Sequence, residues 1–552
     1  MKRIYSFDVF DTCLCRLCGD PRLEYDVLSI KVQKSLNNSW SETKRQLFVA
    51  SRAKAAGETL GKIYHNMALH FPLPYPPDMM AGMELEIERE QLVPIVATLK
   101  LVEQLREKGS ILFISDMYLP SEFIRERLSE YGFFKEGDNI FISEEVGAWK
   151  HNGTLYQLIQ KQTGIPWRHW HHYGDNRHSD YLVPRRLGIH AHYFHYDFLP
   201  YEEHWRHVPT LQFPYPSMMA GIARAMRLSH DVPIDQKSFV CNLSAPFMLT
   251  WIVSILEDCL HNGTKKIFFL ARDTHSEYIM AQSLATIDSK YSQLSIHYLL
   301  VSTKSINDDI CLDYFVQEGV ASKDDDVAIV DSRGRGYFID NINTILSKGN
   351  YRKAKPYLLQ LTPSHCDDQT TIACNNGANI LHNILYTEHT TNKADAIKDI
   401  GWLIENILSL NYHQKNIGYQ KKEGKIVPML AADSPEICAN GIKSLKEQQD
   451  RILFDYIQAY YICGLTTVNN IIMSNIILPT LTNFSCTPRK EYLKYLTRFS
   501  IYGKHNTYVH NMFRYMRTQG GRWQKGCIFY TLPRPLAIAA SKIYDKIVKK
   551  HR

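Results

Sequence analysis

The stretch IYSFDVFDTCL at residues 4–14 ends a short apolar run in Asp8, with Asp11 and Thr12 close behind. A carboxylate at the tip of a buried strand can act as a nucleophile beside a hard cation, taking a phosphoryl group onto itself. A hydrolase of that kind usually carries a second carboxylate two residues later, to protonate the leaving oxygen and then activate water. Here that place is taken by Phe10. Further polar residues end other apolar runs: Ser115 and Asp116 after ILFI, Lys150 in GAWKHNGTLY, and Asp175, Asn176 and Asp180 in GDNRHSD. Singly each is ordinary, since an Asp after a strand usually caps a helix or closes a turn. A lone Lys is usually a solvated surface group. Four such tips in sequence are harder to set aside.

The elements that must position these groups follow from periodicity. IYSF, ILFIS, NIFIS and GIHAHYF read as short strands, and the first two as buried ones. Between them, SEFIRERLSEYG and GTLYQLIQKQTG read as helices. Residues 22–107 repeat apolar positions at three and four, as in VLSIKVQKSL and MELEIEREQLVPIVATLKLVEQLREKG, and predict a long helical insert. Strands alternating with helices predict an α/β fold with a parallel, doubly wound sheet that binds ligands at the carboxyl ends of its strands.

On FDVFDT, FISD, the Lys of GAWKHNGTLY and GDNRHSD, in that order, the chain resembles the haloacid dehalogenase-like (HAD) hydrolase superfamily over residues 1–205. The resemblance implies a helical cap at about 15–100 that closes over the site and selects substrate. It implies Asp8 as nucleophile, Ser115 as a hydrogen-bond donor to a phosphoryl oxygen, and Lys150 as the cation that orients Asp8 and neutralises growing charge. It implies Mg²⁺ held by Asp8, Asp175 and the backbone carbonyl of Phe10, since hard cations prefer oxygen. Asp180 and Asn176 fit supporting places beside the metal, and Asp11, Thr12 and Asp116 accompany the motifs. Phe10 departs from the superfamily's phosphatases. Members with a hydrophobic residue there include dehalogenases, whose halide leaves without a proton. The missing donor is then sought in the cap or at Asp116, because Asp11 lies one residue too far along.

Residues 206–240 are Pro-rich and polar and read as a connection to a second, Rossmann-like α/β domain at 206–400. Its strand tips carry Arg272 and Asp273, Ser302 and Lys304, and DSRGRG with Asp331, Arg333, Gly334, Arg335 and Gly336. DSRGRG could wrap an anion with backbone N–H groups at a helix start, or be an ordinary glycine-rich turn. With FLARD and VDSRGRG downstream, residues 1–400 resemble large two-part HAD proteins encoded with bacterial capsule and O-antigen genes. That resemblance implies a phosphorylated or lipid-linked sugar substrate in surface-polysaccharide assembly. The spacing of ARDTHSEY and VDSRGRG is also similar to that of phosphoribosyltransferases, without their paired acids before the phosphate loop. An alternative makes the HAD half a binding or regulatory module, with a glycosyl- or phosphoryl-transferase in the second domain.

At 552 residues, 45% hydrophobic and 22% charged, the chain has enough apolar content for several cores and no composition of disorder. Among twelve cysteines the one cluster, Cys13, Cys15 and Cys18, lacks a fourth zinc ligand at a recognisable spacing, which favours reduced thiols inside the cell. MKRIYSFDVF meets Asp8 too early for a signal peptide, and FMLTWIVSIL at 247–256 is about half the length of a membrane span. The protein is therefore expected in the cytoplasm. Residues 401–552 read as mainly helical. From residue 488 onward 15 Lys/Arg face two acids, so the tail carries +13 of a total of +7 and the rest of the chain is acidic. With its interspersed aromatics this tail suits a solvated helical surface or an anionic membrane face, and nucleic acid less well for want of a binding module.

Overall fold

Short apolar runs pair side by side in two separate parallel sheets. The computed structural model describes residues 3–210, 213–271, 273–334, 337–361, 414–432, 442–466, 473–496, 500–501, 507–508 and 524–550. The chain divides into one unit of Met1–Asp231 with Ala459–Thr466 and another of Val232–Gln458 with Thr467–Arg552.

In the first unit β1 (Arg3–Phe7) is followed by a two-stranded antiparallel ribbon, β2 (Leu14–Arg16) and β3 (Leu92–Pro94). Then come β4 (Gly109–Ser115), β5 (Asn139–Ile142), β6 (Trp170–Gly174) and β7 (His190–Tyr193). The sheet order is β5-β4-β1-β6-β7 with every pair parallel. Phe7 stands opposite Phe113 of β4 and Tyr173 of β6, so β1 is the strand at which the strand order reverses. Ligands gather beyond the carboxyl end of such a strand. The α/β class with a doubly wound parallel sheet is as the sequence predicts. Ile4, Leu112, Ile114, Tyr156, Ile159 and Trp170 form part of the core on one side.

The insert is four helices, α1 (Pro21–Ser35), α2 (Glu42–Lys54), α3 (Leu60–Ala68) and α4 (Pro77–Gln91). Asp20, Ser41 and Thr59 each cap a helix start by accepting from the backbone N–H two or three residues on, satisfying donors the helix cannot. The insert buries charge as well as apolar surface. Arg52 donates to both oxygens of Glu84, at 2.6 and 2.5 Å, and Tyr64 donates to the same carboxylate at 2.5 Å. Both ions are at most 2% exposed, and the Arg52 guanidinium lies 4.4–5.4 Å from the rings of Tyr25, Tyr64 and Tyr118. Glu84→Ala would strand that cation in a dry site. It is expected to cost about 3–5 kcal/mol, read as a lower urea midpoint, with Glu84→Gln costing less.

Connecting helices are α5 (Val96–Arg106), α6 (Ser121–Glu130), the one-turn α7 (Ser143–Val146), α8 (Thr154–Thr163) and the one-turn α9 (Val183–Arg186). The region read as a connection is not one. After α10 (Pro200–Arg206) it holds α11 (Tyr215–Ser229) and, in the second unit, α12 (Ile234–Phe239). Its prolines sit at helix starts, where a missing N–H costs nothing, while Met218, Met219, Ile222, Ala225 and Met226 are buried. α11 crosses the turn after β2 so closely that a Cβ on Gly221 would lie 2.2 Å from the Cys18 carbonyl.

The second unit continues with α13 (Ala245–His261), β8 (Lys266–Leu270), α14 (His275–Ile287), β9 (Ser295–Leu299), α15 (Cys311–Glu318), β10 (Val327–Gly334), α16 (Tyr337–Lys348) and β11 (Lys355–Leu361). Its sheet order is β11-β10-β8-β9, all parallel. Helical residues 234–261 run without a break and are long and apolar enough to cross a membrane, with mean hydropathy 1.8. The ten-residue window at 247–256 therefore understates the helix, because a π-helical turn at Val240–Ser244 joins α12 to α13. Its most apolar eighteen residues are buried within the protein, while Ile234 at its start is exposed.

The text after residue 400 is not all helix. β12 (Asn416–Lys422) and β13 (Lys425–Leu430) form a hairpin, with Glu423 and Gly424 both at positive φ as a two-residue turn requires. Helices follow at Ile442–Ile462, Leu478–Cys486, Lys490–Leu496, Gln524–Thr531 and Arg534–Lys550. Of the tail aromatics, Tyr492 and Tyr495 are buried and cannot face a membrane as they stand. Phe499, Tyr502, Phe513, Tyr515 and Trp523 lie outside the described residues.

Candidate active site

Asp8 leaves the carboxyl end of β1, its N–H held by the Tyr173 carbonyl at 2.9 Å. The backbone then folds tightly: the N–H groups of Cys13 and Leu14 both donate to the Val9 carbonyl, at 2.8 and 2.9 Å. Asp11 adopts the left-handed region at φ 55°, a conformation that costs about 1–2 kcal/mol in a residue with a Cβ and persists where neighbours hold it. One holder is Arg224 of α11, which donates from Nη1 to Asp11 Oδ1 at 2.7 Å.

Lys150 is buried between two carboxylates. Its Nζ donates to Asp8 Oδ1 and, at 2.7 Å, to Asp180 Oδ1. Asp180 is further held by His172 Nε2 at 3.2 Å and by the Asn176 N–H at 3.1 Å. His172 in turn meets Ser6 Oγ at 2.8 Å, and Trp170 Nε1 donates to that hydroxyl at 2.7 Å. Thus Ser6, Trp170 and His172, on alternate positions of β1 and β6, hold Asp180 in place. The residues GDNRHSD do not form an open loop. Asn176 caps a π-helical turn, Arg177–Leu182, that carries Asp180 back over the strand end. A Cβ at Gly174 would lie 2.5 Å from Asp180 Cβ, which explains the glycine before Asp175.

Asp175 accepts from Thr12 Oγ1 at 3.3 Å. One oxygen from each of Asp8, Asp175 and Asp180 lies within 4.8 Å of the others. Three carboxylates thus share one lysine. Burial pushes the Asp8 carboxyl well above its ordinary value, with Asp180 and Asp175 adding to the effect and Lys150 opposing it. Burial, then Asp11 and Asp180, push Asp175 up to about 7. Asp180 resists its own burial and stays below the usual range because Lys150 and His172 both face it. This excess of hard oxygen donors and negative charge fits a divalent cation such as Mg²⁺, for which Asp8 and Asp175 would be ligands and Asp180 a near neighbour.

A pH dependence follows. Without a cation the folded protein holds a proton on Asp175 between its ordinary 3.8 and about 7, where the unfolded chain has lost it. Stability from that proton is present at low pH and is lost as pH rises toward 7. A cation displaces the proton, so the rise in Tm on adding Mg²⁺ is expected to be larger at about pH 8 than at about pH 6. An equal rise at both would contradict the charge balance described.

Ser115 ends β4, buried. Asp116 takes no part in the carboxylate cluster: its oxygens accept the N–H groups of Lys150 at 2.7 Å and His151 at 3.2 Å, tying the lysine's loop to β4. Phe10 packs its ring 4.5 Å from the Arg16 guanidinium carbon. Cys13, Cys15 and Cys18 are buried free thiols, and Cys13 Sγ donates to the Asp8 carbonyl at 3.2 Å.

Of the residues suggested in the second unit, the structure describes Asp273, Ser302, Lys304, Asp331, Arg333 and Gly334. Lys304 is exposed, and Asp331 Oδ1 accepts from the adjacent Ser332 N–H. Asp331, Arg333 and Gly334 belong to β10, in register with Leu358, Gln360 and Leu361 of β11, so the first part of DSRGRG is strand rather than a phosphate-wrapping loop. The apolar run before it simply continues the ladder. Asp273 follows the β8 tip, and Arg272, Arg335 and Gly336 lie outside the described residues.

No family profile matches the sequence, and no curated protein matches it. Among solved structures, the Bacillus subtilis protein YfnB, described as a HAD-hydrolase and crystallised with magnesium, is similar at a TM-score of 0.27 and 16% identity. The match covers 36% of this chain and 89% of that one. A likeness of that size does not establish a shared activity.

Proposed function

We propose that the first unit is a Mg²⁺-dependent phosphohydrolase of the HAD type, acting on a phosphorylated sugar or related precursor. The observation that carries the reading is Asp8 at the end of the central strand, bonded to a buried Lys150, with Asp175 and Asp180 beside it. Asp8 attacks phosphorus and splits one displacement into two, through an aspartyl-phosphate. Lys150 orients that carboxylate and balances charge on the transferring group, and Ser115 donates to a phosphoryl oxygen. Asp175, Asp8 and the Phe10 carbonyl would hold Mg²⁺, which screens the repulsion between two anions. The pairing of these motifs with FLARD and VDSRGRG downstream is the basis for a role in surface-polysaccharide assembly inside the cell, and the basic tail for contact with an anionic membrane face.

The test is phosphate release from a panel of sugar phosphates and para-nitrophenyl phosphate. Turnover is expected with Mg²⁺ and is expected to vanish with EDTA and return on adding the ion. Release that is indifferent to EDTA would remove the metal from the reading.

A further inference from the structure

The phosphohydrolase reading leaves one role unfilled, the proton for the departing oxygen, and the inference here rests on that reading. The Phe10 ring is packed against Arg16, which donates to both oxygens of Glu88 at 2.9 and 2.5 Å and lies 3.3 Å from Glu24. Both cap acids are therefore tied to one buried cation. Neither lines the cleft of about 440 Å³ that contains Asp11 and Asp175. Asp116 spends both oxygens on backbone N–H groups, and Asp11 is ion-paired with Arg224. Tyr196, on the cleft wall, pairs its hydroxyl with Thr98 at 2.9 Å. Asp197 and Glu203 also line the cleft, facing His195 at 3.6 Å and Arg206 at 3.0 Å, and Phe10 holds the place where the phosphatases carry their acid.

Against its four carboxylates, Asp11, Asp175, Asp197 and Glu203, the cleft wall sets two guanidinium groups. Arg206 of α10 and Arg224 of α11 flank the Phe198 ring, with guanidinium carbons 4.2 and 5.1 Å from its centre. Arg224 commits Nε to the Tyr196 carbonyl and Nη1 to Asp11, both at 2.7 Å, and Arg206 commits Nη1 to Glu203 at 3.0 Å. Each retains further N–H donors, and planar guanidinium groups suit phosphate oxygens.

We infer that the substrate is a phosphoric anhydride, R–O–P–O–P, whose departing phosphate is received by Arg206 and Arg224. An Asp8 oxygen bonds to the terminal phosphorus as the bond from that phosphorus to the bridging oxygen breaks. The electron pair stays on the departing phosphate, which is the conjugate base of an acid with pKa about 6 and leaves unprotonated at neutral pH. Water then bonds to the same phosphorus, the bond to Asp8 breaks, and inorganic phosphate and one proton are released. An alkyl phosphate would instead have to expel a strongly basic alkoxide, which is what the missing acid serves in phosphatases.

The experiment uses the full chain with Mg²⁺ and three probes: ADP, glycerol phosphate and para-nitrophenyl phosphate. The kcat/KM for ADP is expected to exceed that for glycerol phosphate by about 10²-fold or more. Phe10→Asp is expected to raise glycerol phosphate turnover. Arg206→Ala, at a partly exposed position, is expected to raise KM for ADP about tenfold and to affect para-nitrophenyl phosphate, which has no second phosphate, far less. Glycerol phosphate turned over as fast as ADP, or an Arg206→Ala effect equal on both ADP and para-nitrophenyl phosphate, would overturn this inference alone. No phosphate from any of the three would overturn the phosphohydrolase reading, and the inference with it.

Discussion

Asp8→Asn is expected to lower phosphate release by on the order of 10⁴-fold or more, while leaving the protein at least as stable as the wild type. The loss follows from chemistry: a neutral amide cannot form the covalent intermediate. The stability follows from the surroundings. Asp8 is buried, and its carboxyl is held well above the ordinary range by that burial and by Asp180 and Asp175, with Lys150 only partly compensating. A group whose charged form is disfavoured in the fold loses nothing, and gains a little, when an isosteric neutral residue replaces it. Thermal unfolding at neutral pH would show an unchanged or higher Tm. Lost activity together with a lower Tm would point to a structural role for Asp8 instead.

Lys150→Met is expected to act in the opposite way on stability. Methionine keeps most of the stem's volume but removes the one ammonium between Asp8 and Asp180. Three carboxylates would then crowd a buried site with only the His172 ring and the Asn176 N–H against Asp180. Leaving such charge uncompensated costs about 3–5 kcal/mol. Because carboxylates shed that penalty by taking up protons, the deficit relative to wild type should shrink as pH falls. Added Mg²⁺ should recover part of it at neutral pH. Turnover should fall by about 10²–10³-fold, the loss typical of removing one donor from a charge-stabilising site. A denaturant titration at two pH values, with and without Mg²⁺, separates these effects. A deficit that ignores both pH and Mg²⁺ would mean that Lys150 matters for packing alone.

The strand tips are readable from the chain because a parallel sheet imposes a simple pattern. A short apolar run ends, a polar residue appears, and a helix begins. Asp8, Lys150, Asp175 and Asp180 come together in the fold because β5, β4, β1 and β6 lie side by side while their carboxyl ends are distant in sequence. The support behind them is less readable. Ser6 and His172 sit inside strands, where a polar side chain differs little from any inward-facing residue until the neighbouring strand is known. Arg224 is hidden for another reason: prolines near residues 214–216 suggest a linker, yet they open a buried helix that delivers the guanidinium to Asp11. In DSRGRG the glycines suggest a loop, and pairing with β11 keeps the first of them in the ladder. Local composition misleads where a tertiary partner decides the backbone.

In the proposed reaction Asp8 carries a phosphoryl group during turnover. The direct measurement is an acid quench of the full chain during turnover of ADP or para-nitrophenyl phosphate with Mg²⁺, followed by mass spectrometry of the peptide holding residues 4–14. The expected result is the mass of one added phosphoryl group on that peptide, located at Asp8 and absent from Asp8→Asn. Continued phosphate release by Asp8→Asn, or a phosphoryl group trapped on another residue, would contradict it.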